Sequence, residues 1–443
     1  MNDSIKLLNL KEEEIDIITS HIENNVLYIN LTLRRKDEEC PNCKSILNKV
    51  ESYRNKQINH PMLNSMKCIV NYRCRRLRCI TCNKTFNESN TFVKKSKHAT
   101  DYEVFNVLNL LKSPHITFTD VAKQCNISVT KVQYIFDKHV NIARRKLPRV
   151  LSIDEYYDPA TGIGKYDCLW LDFEKNEVID VLPDRTKWYL QKYLQGRTRL
   201  DRESVEFVSI DMWETYRSIA KTYLKNAKIC VDSFHVIKNI LNALDKIRIK
   251  VMYRQEEHGI NYYLLKKFNF LLQTNFRNIK KNKKQYNHKL DKFLNYHDIL
   301  NLLINIDDEL STAYFIKENY IDFNDTATLE NAEVLLNKQI DIMISKNIPE
   351  FNDVYKMLQN WKQEIINSFN LSRNGKRINN SVIEGRNKTI KQIIDNANGV
   401  TNFNRLRNRI MYCINNEMFS IDEHPNTVKR KGNKRGNYKN KSF

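Results

Sequence analysis

The spacing of apolar positions changes character several times along the chain, and these changes divide it. Val26-Leu-Tyr-Ile-Asn-Leu-Thr-Leu33 alternates over a short span and predicts a strand in a small β-rich module covering residues 1–95. Residues 100–147 take on a helical period. Apolar runs at 150–153, 168–173, 177–182, 205–210 and 227–231 then predict five strands, with an amphipathic helix, Lys187–Leu194, between the third and the fourth. Residues 241–375 are charged and helical in period throughout, and 376–420 hold one more strong helix pair. The end of the chain, KRKGNKRGNYKNKSF, has almost no apolar residues, so 428–443 is expected to be a disordered basic tail.

Composition narrows the class. At 443 residues the chain is long enough for several domains, and a hydrophobic content of 41% supports real cores. Lys and Arg total 73 against 52 acids, a net charge of +21, which points to a polyanionic partner, nucleic acid before acidic membrane. No apolar stretch approaches the roughly 20 residues that span a bilayer, and the N-terminus lacks a basic-then-apolar signal layout. A soluble, cytoplasmic protein without membrane partners is therefore expected. In a reducing compartment, ten Cys argue for metal ligands or buried thiols over disulfides.

Six of those Cys lie between 40 and 92. Cys40-Pro-Asn-Cys43 and Cys79-Ile-Thr-Cys82 are two C-x-x-C knuckles, each able to give two thiolates to one tetrahedral Zn²⁺. The gap between them calls for a β-hairpin or more. Cys68, Cys74 and His60 are weaker candidate ligands. Arg75, Arg76 and Arg78 give the module a basic character suited to phosphate contact.

Phe118–Phe136 fits a helix-turn-helix. Val121, Cys125, Ile127, Val132 and Ile135 fall where two crossing helices bury a shared core, and Ala122 where they approach most closely. Asn126 occupies the turn position that needs positive φ, and Ser128 can cap the second helix. That helix would offer Thr130, Lys131, Gln133 and Tyr134 to the major groove.

The five strands carry the chemistry. The first ends in Asp154-Glu155, the fourth in Asp211, the fifth in Asp232 with His235 close behind. The order β-β-β-α-β-α-β is that of a ribonuclease H-like fold, in which the first and fourth strands lie side by side. Asp154 and Asp211 would then face each other and need a cation, Mg²⁺ being the natural hard ion, with Mn²⁺ as substitute. Asp232, with His235, competes with Asp211 as the second ligand or stands behind it. Farther on, Glu384 sits near the start of an apolar-periodic helix with Lys388 and Lys391 along the same face. Ser381-Val-Ile-Glu384 is equally a capping box, so cap and catalyst are both open on these residues alone.

Taken together, Cys40–Cys43, Cys79–Cys82 with Thr85-Phe-Asn-Glu88, Ile153-Asp-Glu155, Asp211-Met-Trp213, Asp232-Ser-Phe-His235 and Glu384-Gly-Arg-Asn-Lys-Thr-Ile-Lys391 resemble the ISL-three-type insertion-sequence transposases. Ala397–Phe403 through Arg409-Ile410 looks like that family's closing motif. The resemblance implies a zinc-binding N-terminal domain, a helix-turn-helix, and a DDE catalytic core at 150–240 and 376–420 interrupted by a helical insertion at 241–375. It puts the catalytic roles on Asp154, Asp211 and Glu384 and raises Glu384 above the capping reading. It implies a bacterial, nucleoid-associated enzyme that binds its element's terminal inverted repeats and its target DNA, as a homodimer or larger assembly. The rivals are a catalytically inactive zinc and helix-turn-helix regulator, and a nuclease without strand transfer.

Overall fold

The computed structural model describes all residues except 1–7, 9, 64–65, 94–98, 159–163, 282, 398 and 416–443. The expected basic tail lies outside the described residues. The chain forms two compact units. One comprises Met1–Ile142, Asp395–Asn398 and Asn408–Phe443, the other Ala143–Ile394 and Gly399–Arg407.

The first unit opens with β1 (Ile15–Glu23) and β2 (Val26–Leu33), an antiparallel hairpin. Its turn residues Asn24 and Asn25 both have positive φ (47° and 60°), the pair of left-handed residues that a two-residue hairpin loop requires. The long strands β3 (Asn48–Leu63) and β4 (Met66–Cys79) pair antiparallel, and β2 adds to β4 in parallel. They fill the gap between the two cysteine knuckles, as the sequence required. The short β5 (Thr85–Asn87) pairs with the end of β4. Alternate residues of β4, Cys68, Val70, Tyr72 and Cys74, point inward and are fully buried with Ile29, Leu31 and Ile58. His60 is buried against the Thr100 hydroxyl (3.1 Å).

Three helices follow: α1 (Asp101–Leu110), α2 (Phe118–Cys125) and α3 (Val129–His139). Between α2 and α3 the chain turns at Asn126, whose φ is 52°, and the Ser128 hydroxyl accepts the Lys131 N–H to start α3. Val121, Ala122, Cys125, Val132 and Ile135 are buried as the spacing predicts, and Ile127 is partly so. One part of this core comes from far along the chain. The aromatic ring of Tyr412 meets Phe136 edge-on at 5.8 Å, its hydroxyl donates to the Leu108 carbonyl, and Arg409 donates to the carbonyls of Ser113 and Ile116.

The second unit is built on five strands: β6 (Val150–Tyr157), β7 (Tyr166–Asp172), β8 (Glu177–Leu182), β9 (Phe207–Ile210) and β10 (Lys228–Val231). Across the sheet they run β8-β7-β6-β9-β10. The first three are antiparallel neighbours, whereas β6, β9 and β10 are parallel. The unbroken burial of β7 from Asp167 to Asp172 is what a strand covered on both faces shows. Trp170 is fully buried edge-on to Tyr193 of α4 (Lys187–Gln195).

After α5 (Arg199–Glu203) and α6 (Glu214–Tyr223), the long α7 (Ser233–Tyr253) leads into a helical region. It contains α8 (Ile260–Lys267), α9 (Asn269–Gln273), the small hairpin β11 (Gln285–Asn287) and β12 (Lys292–Leu294), and α10 (Tyr296–Ile304). It continues through α11 (Asp308–Thr326), α12 (Ala332–Lys346), α13 (Asn352–Asn360) and α14 (Lys362–Asn367). These helices share one apolar core with the sheet. Arg217 of α6 ties the two by a bidentate pair with the buried Glu364, stacked on Trp361. Then come α15 (Ser381–Ala397) and α16 (Phe403–Ile414). Among the described residues, no helix is long and apolar enough to cross a membrane.

The Asn126 turn can be tested directly. Asn126→Val places a β-branched residue at positive φ and should destabilise the helix-turn-helix by about 1–2 kcal/mol, whereas Asn126→Gly should be nearly neutral, as read by urea unfolding followed on helical signal.

Candidate active site and metal centre

In the second unit, parallel pairing sets the level of three aspartates. Ser152 lies opposite Ser209, and Ile210 opposite Val231. Carried two places along β6 and β9, that register sets Asp154 level with Asp211. One place beyond Val231 on β10 comes Asp232, whose N–H donates to the Ile210 carbonyl (3.1 Å). Three acids thus stand at one level along the carboxyl ends of adjacent parallel strands, where open α/β sheets bind ligands. β6 differs from expectation in one respect. It runs on to Tyr157, so Asp154 lies inside the strand and just past the end of the β6–β9 ladder.

The aspartates are not equivalent. Asp232 is 3% exposed and both its oxygens are engaged: Oδ1 accepts the Asn380 N–H (3.1 Å) and Oδ2 pairs with His235 Nδ1 (3.0 Å). The Asp211 side chain is 21% exposed, and its Oδ1 accepts Asn380 Nδ2 and faces His235 Nδ1. Asp154 is half-buried, and its Oδ2 accepts Asn387 Nδ2 at 2.6 Å. Burial first, then the charge of Asp211, pushes Asp154 up to about 7. Burial likewise pushes Asp211 up to about 6, with His235 opposing and Glu155 and Asp232 adding to the rise. His235 is raised, chiefly by its bond to Asp232. Glu155 is tied to Arg185 and to the Tyr216 hydroxyl (2.8 Å).

Helix α15 and the residue before it reach these aspartates through two asparagines. Asn380, four residues before Glu384, contacts Asp211 and Asp232, and Asn387, three residues after it, contacts Asp154. At helical spacing these three residues share a face, so Glu384 is carried on the surface turned to both strand-borne carboxylates. The capping box does not form as drawn from the sequence. The Ser381 hydroxyl donates to Asn379 Oδ1 (2.6 Å), and the Glu384 carboxylate has no hydrogen-bond partner among the described residues. Lys388 and Lys391 are exposed on the same helix.

Asn380 was not singled out from the sequence, since a buried asparagine in a loop leaves no periodic signal. It is fully buried, and the Ser209 hydroxyl donates to its Oδ1 (2.6 Å), which fixes the amide so that Nδ2 faces Asp211. Asn387 stood inside a quoted motif but had been given no role.

The first unit holds a separate centre. The sulfurs of Cys40, Cys43, Cys79 and Cys82 all lie within 4.8 Å of one another, with Cys40–Cys82 at 3.6 Å and Cys43–Cys79 at 3.5 Å. Four thiolates about 2.3 Å from a tetrahedral Zn²⁺ would stand at roughly 3.8 Å separations, so the set fits zinc. The knuckles repeat one backbone design. The Cys40 N–H donates to the Ser45 carbonyl and the Cys79 N–H to the Lys84 carbonyl. A left-handed residue, Lys44 or Asn83, donates back to the first Cys of its knuckle. The closeness of the thiols splits their proton affinities: the Lys84 backbone N–H and then the Asn42 amide hold Cys82 down to about 6, while Cys43, against the Ser45 backbone N–H, is pushed up to about 12 by burial and the neighbouring sulfurs. Cys68, Cys74 and His60 stand outside this set. Among the described residues it is the one group of His, Cys, Asp or Glu side chains that closes this tightly.

The candidate DNA-facing side chains divide. Thr130 and Tyr134 are exposed and Gln133 is half-buried, but Lys131 is bonded to the buried Glu103 (3.3 Å). Arg75 turns inward, 7% exposed, onto Glu88 and the Leu33 carbonyl. Arg76 donates to the Thr85 hydroxyl and Arg78 pairs with Glu51, both half-buried.

A family model described as a transposase, of the ISL-three DDE type, matches residues 151–410. The chain belongs to this transposase family. Comparison with individually curated proteins found no match.

Two outcomes are expected. Asn380→Ala removes the amide donor to Asp211 and the acceptor of the buried Ser209 hydroxyl, while the backbone N–H to Asp232 stays, and should cost about 1–3 kcal/mol of unfolding free energy, measured by denaturant titration. Elemental analysis should find zinc bound to the purified chain and lost from Cys79→Ser, while Cys68→Ser retains it.

Proposed function

We propose that the chain is a DNA transposase that cleaves the terminal inverted repeats of its own element and joins the freed ends to target DNA. The reading rests on one observation above all: Asp154 and Asp211 stand level on adjacent parallel strands, and Glu384 is carried on the helix face whose flanking asparagines touch both. The strand order 3-2-1-4-5, with a helical segment before the last acid, supports a ribonuclease H-like core with an insertion at 241–375.

Asp154, Asp211 and Glu384 are then the residues that hold divalent metal, Mg²⁺ or Mn²⁺. When bound, such ions lower the cost of forming hydroxide and steady the oxygens of an in-line phosphoryl displacement. In the first reaction water oxygen bonds to phosphorus, the P–O3′ bond breaks, and the 3′-hydroxyl leaves with a proton. In the second that 3′-hydroxyl attacks a target phosphodiester and displaces its 3′-oxygen. Asn387 and Asn380 orient Asp154 and Asp211 through their amide donors. Asp232, buried at 3% exposure behind the Asn380 N–H and His235, is a positioning residue that aims His235 at Asp211, and the greater exposure of Asp211 favours it over Asp232 as the ligand.

The cysteine centre holds structural zinc in a module that, with the helix-turn-helix, grips the element ends. Thr130, Gln133 and Tyr134 reach the groove, Arg76 and Arg78 lie toward phosphates, and Lys388 and Lys391 track phosphates beside the carboxylates. Because two ends must be held together, the active form is a homodimer or larger assembly.

The test is cleavage of labelled element ends in Mg²⁺. Wild type should nick at the element boundary, and Glu384→Gln and Asp211→Asn should bind but not nick detectably. Asp232→Asn should lose about 10- to 100-fold, the effect of removing a group behind a ligand. Equal binding with no nicking by any of the four would leave a DNA-binding regulator instead.

A further inference from the structure

The helical region of the second unit carries a surface that the proposed reaction does not use. An open cleft of about 580 Å³ lies between α8, the β11–β12 hairpin and α10. Its walls include Tyr263, Phe268, Tyr286, Tyr296, Lys267 and Lys289, and no carboxylate is among the lining residues. The cavity formed by α7 and α13 is different, being lined by Asp245, Glu350 and Asp353.

Charge and aromatic surface coincide at this cleft. Between 280 and 292 the chain places Lys280, Lys281, Lys283, Lys284, Lys289 and Lys292 against the single acid Asp291. Those lysines are all exposed. Tyr286 is 43% exposed and Phe293 is 65% exposed, their rings 5.2 Å apart on the hairpin. The Tyr286 hydroxyl is bonded to Asp291 across the hairpin, which holds the ring in place. Lys267 lies 5.2 Å over the Tyr263 ring at the opposite wall. Large exposed rings on a hairpin mark a surface that something covers, and the lysines, of which Lys284 is paired with Asp298 (3.5 Å), favour a polyanion as the cover.

We infer that this cleft binds single-stranded DNA, taking an unpaired base against Tyr286 and the neighbouring phosphates on the hairpin lysines. Flat aromatic faces beside cations are what sequence-tolerant single-strand binding requires, because every base has a π-face and every linkage a phosphate. Duplex DNA offers phosphates without exposed base faces, and an acidic peptide offers charge without stacking, so neither would use both features. The inference rests on the transposase reading, in which strand cleavage generates unpaired ends.

The experiment uses the full chain carrying Glu384→Gln, so that its outcome does not depend on strand cleavage. A short oligothymidine with one 5-iodouracil is bound and photocrosslinked, and the attached peptide is mapped by mass spectrometry. Crosslinks should map to the hairpin peptide containing Tyr286. Tyr286→Ala should weaken single-strand binding, read by fluorescence anisotropy, by about tenfold or more, and Tyr286→Trp should restore it. Affinity for a duplex carrying no unpaired bases should be unchanged in both. Lys289→Ala should lower the salt dependence of single-strand binding. Crosslinks mapping wholly elsewhere, with Tyr286→Ala binding as well as its parent, would overturn the inference. So would polyglutamate displacing the strand as effectively as unlabelled oligothymidine, since that would make the cleft a site for acidic protein. Failure of strand cleavage in the wild-type chain would overturn the transposition reading and leave the crosslink result intact.

Discussion

The constraint on which the rest depends is the parallel register of β6, β9 and β10. It forces Asp154, Asp211 and Asp232 to one level, although 57 and then 21 residues separate them in sequence. Carboxylates that close repel one another and are costly to desolvate, and both effects are visible in the raised Asp154 and Asp211. The surrounding donors answer that cost unevenly. Asp232 receives a backbone N–H and an imidazole and is buried, whereas Asp154, which accepts the Glu155 N–H and the Asn387 amide, and Asp211 stay half-buried.

Helix α15 closes the arrangement from another direction. Its start is held by Asn380, which joins Ser209, Asp211 and Asp232 in one buried network and accepts the Glu384 N–H on its carbonyl (3.0 Å). Any shift of that helix therefore moves the strand acids and Glu384 together. The same coupling lets a long helical region sit between β10 and α15 in the chain without loosening the site, because those helices share the sheet's core and are tied to it by Arg217 and Glu364.

Much of this was legible in the sequence, for physical reasons that can be named. Short apolar runs, three of them ending in acids, located the five strands, and the paired C-x-x-C spacing located the sulfur cluster, because both are local patterns. Asn126 and Ser128 were legible since a left-handed turn and an N-cap admit few residue types. Strand order favoured Asp211 over Asp232 without deciding between them, because each is an Asp after a strand and they differ in burial and hydrogen bonds. Glu384 as cap or catalyst turned on whether Ser381 pointed at it, and Ser381 is bonded to Asn379 instead. Arg75 and Lys131 read as surface cations, but Glu88 and Glu103 hold them, and those partners are 13 and 28 residues away. Tyr412 in the helix-turn-helix core is a contact across more than 270 residues that no periodicity reveals.

Asp154, Asp211 and Glu384 are proposed to hold one divalent-metal site. Iron-directed hydroxyl-radical cleavage measures this most directly, with Fe²⁺ replacing Mg²⁺ and the peptide cuts mapped by mass spectrometry. Cuts next to all three residues are expected, suppressed together by excess Mg²⁺. Cuts confined to the cysteine knuckles, or cuts near Asp154 and Asp211 that spare the chain around Glu384, would contradict it.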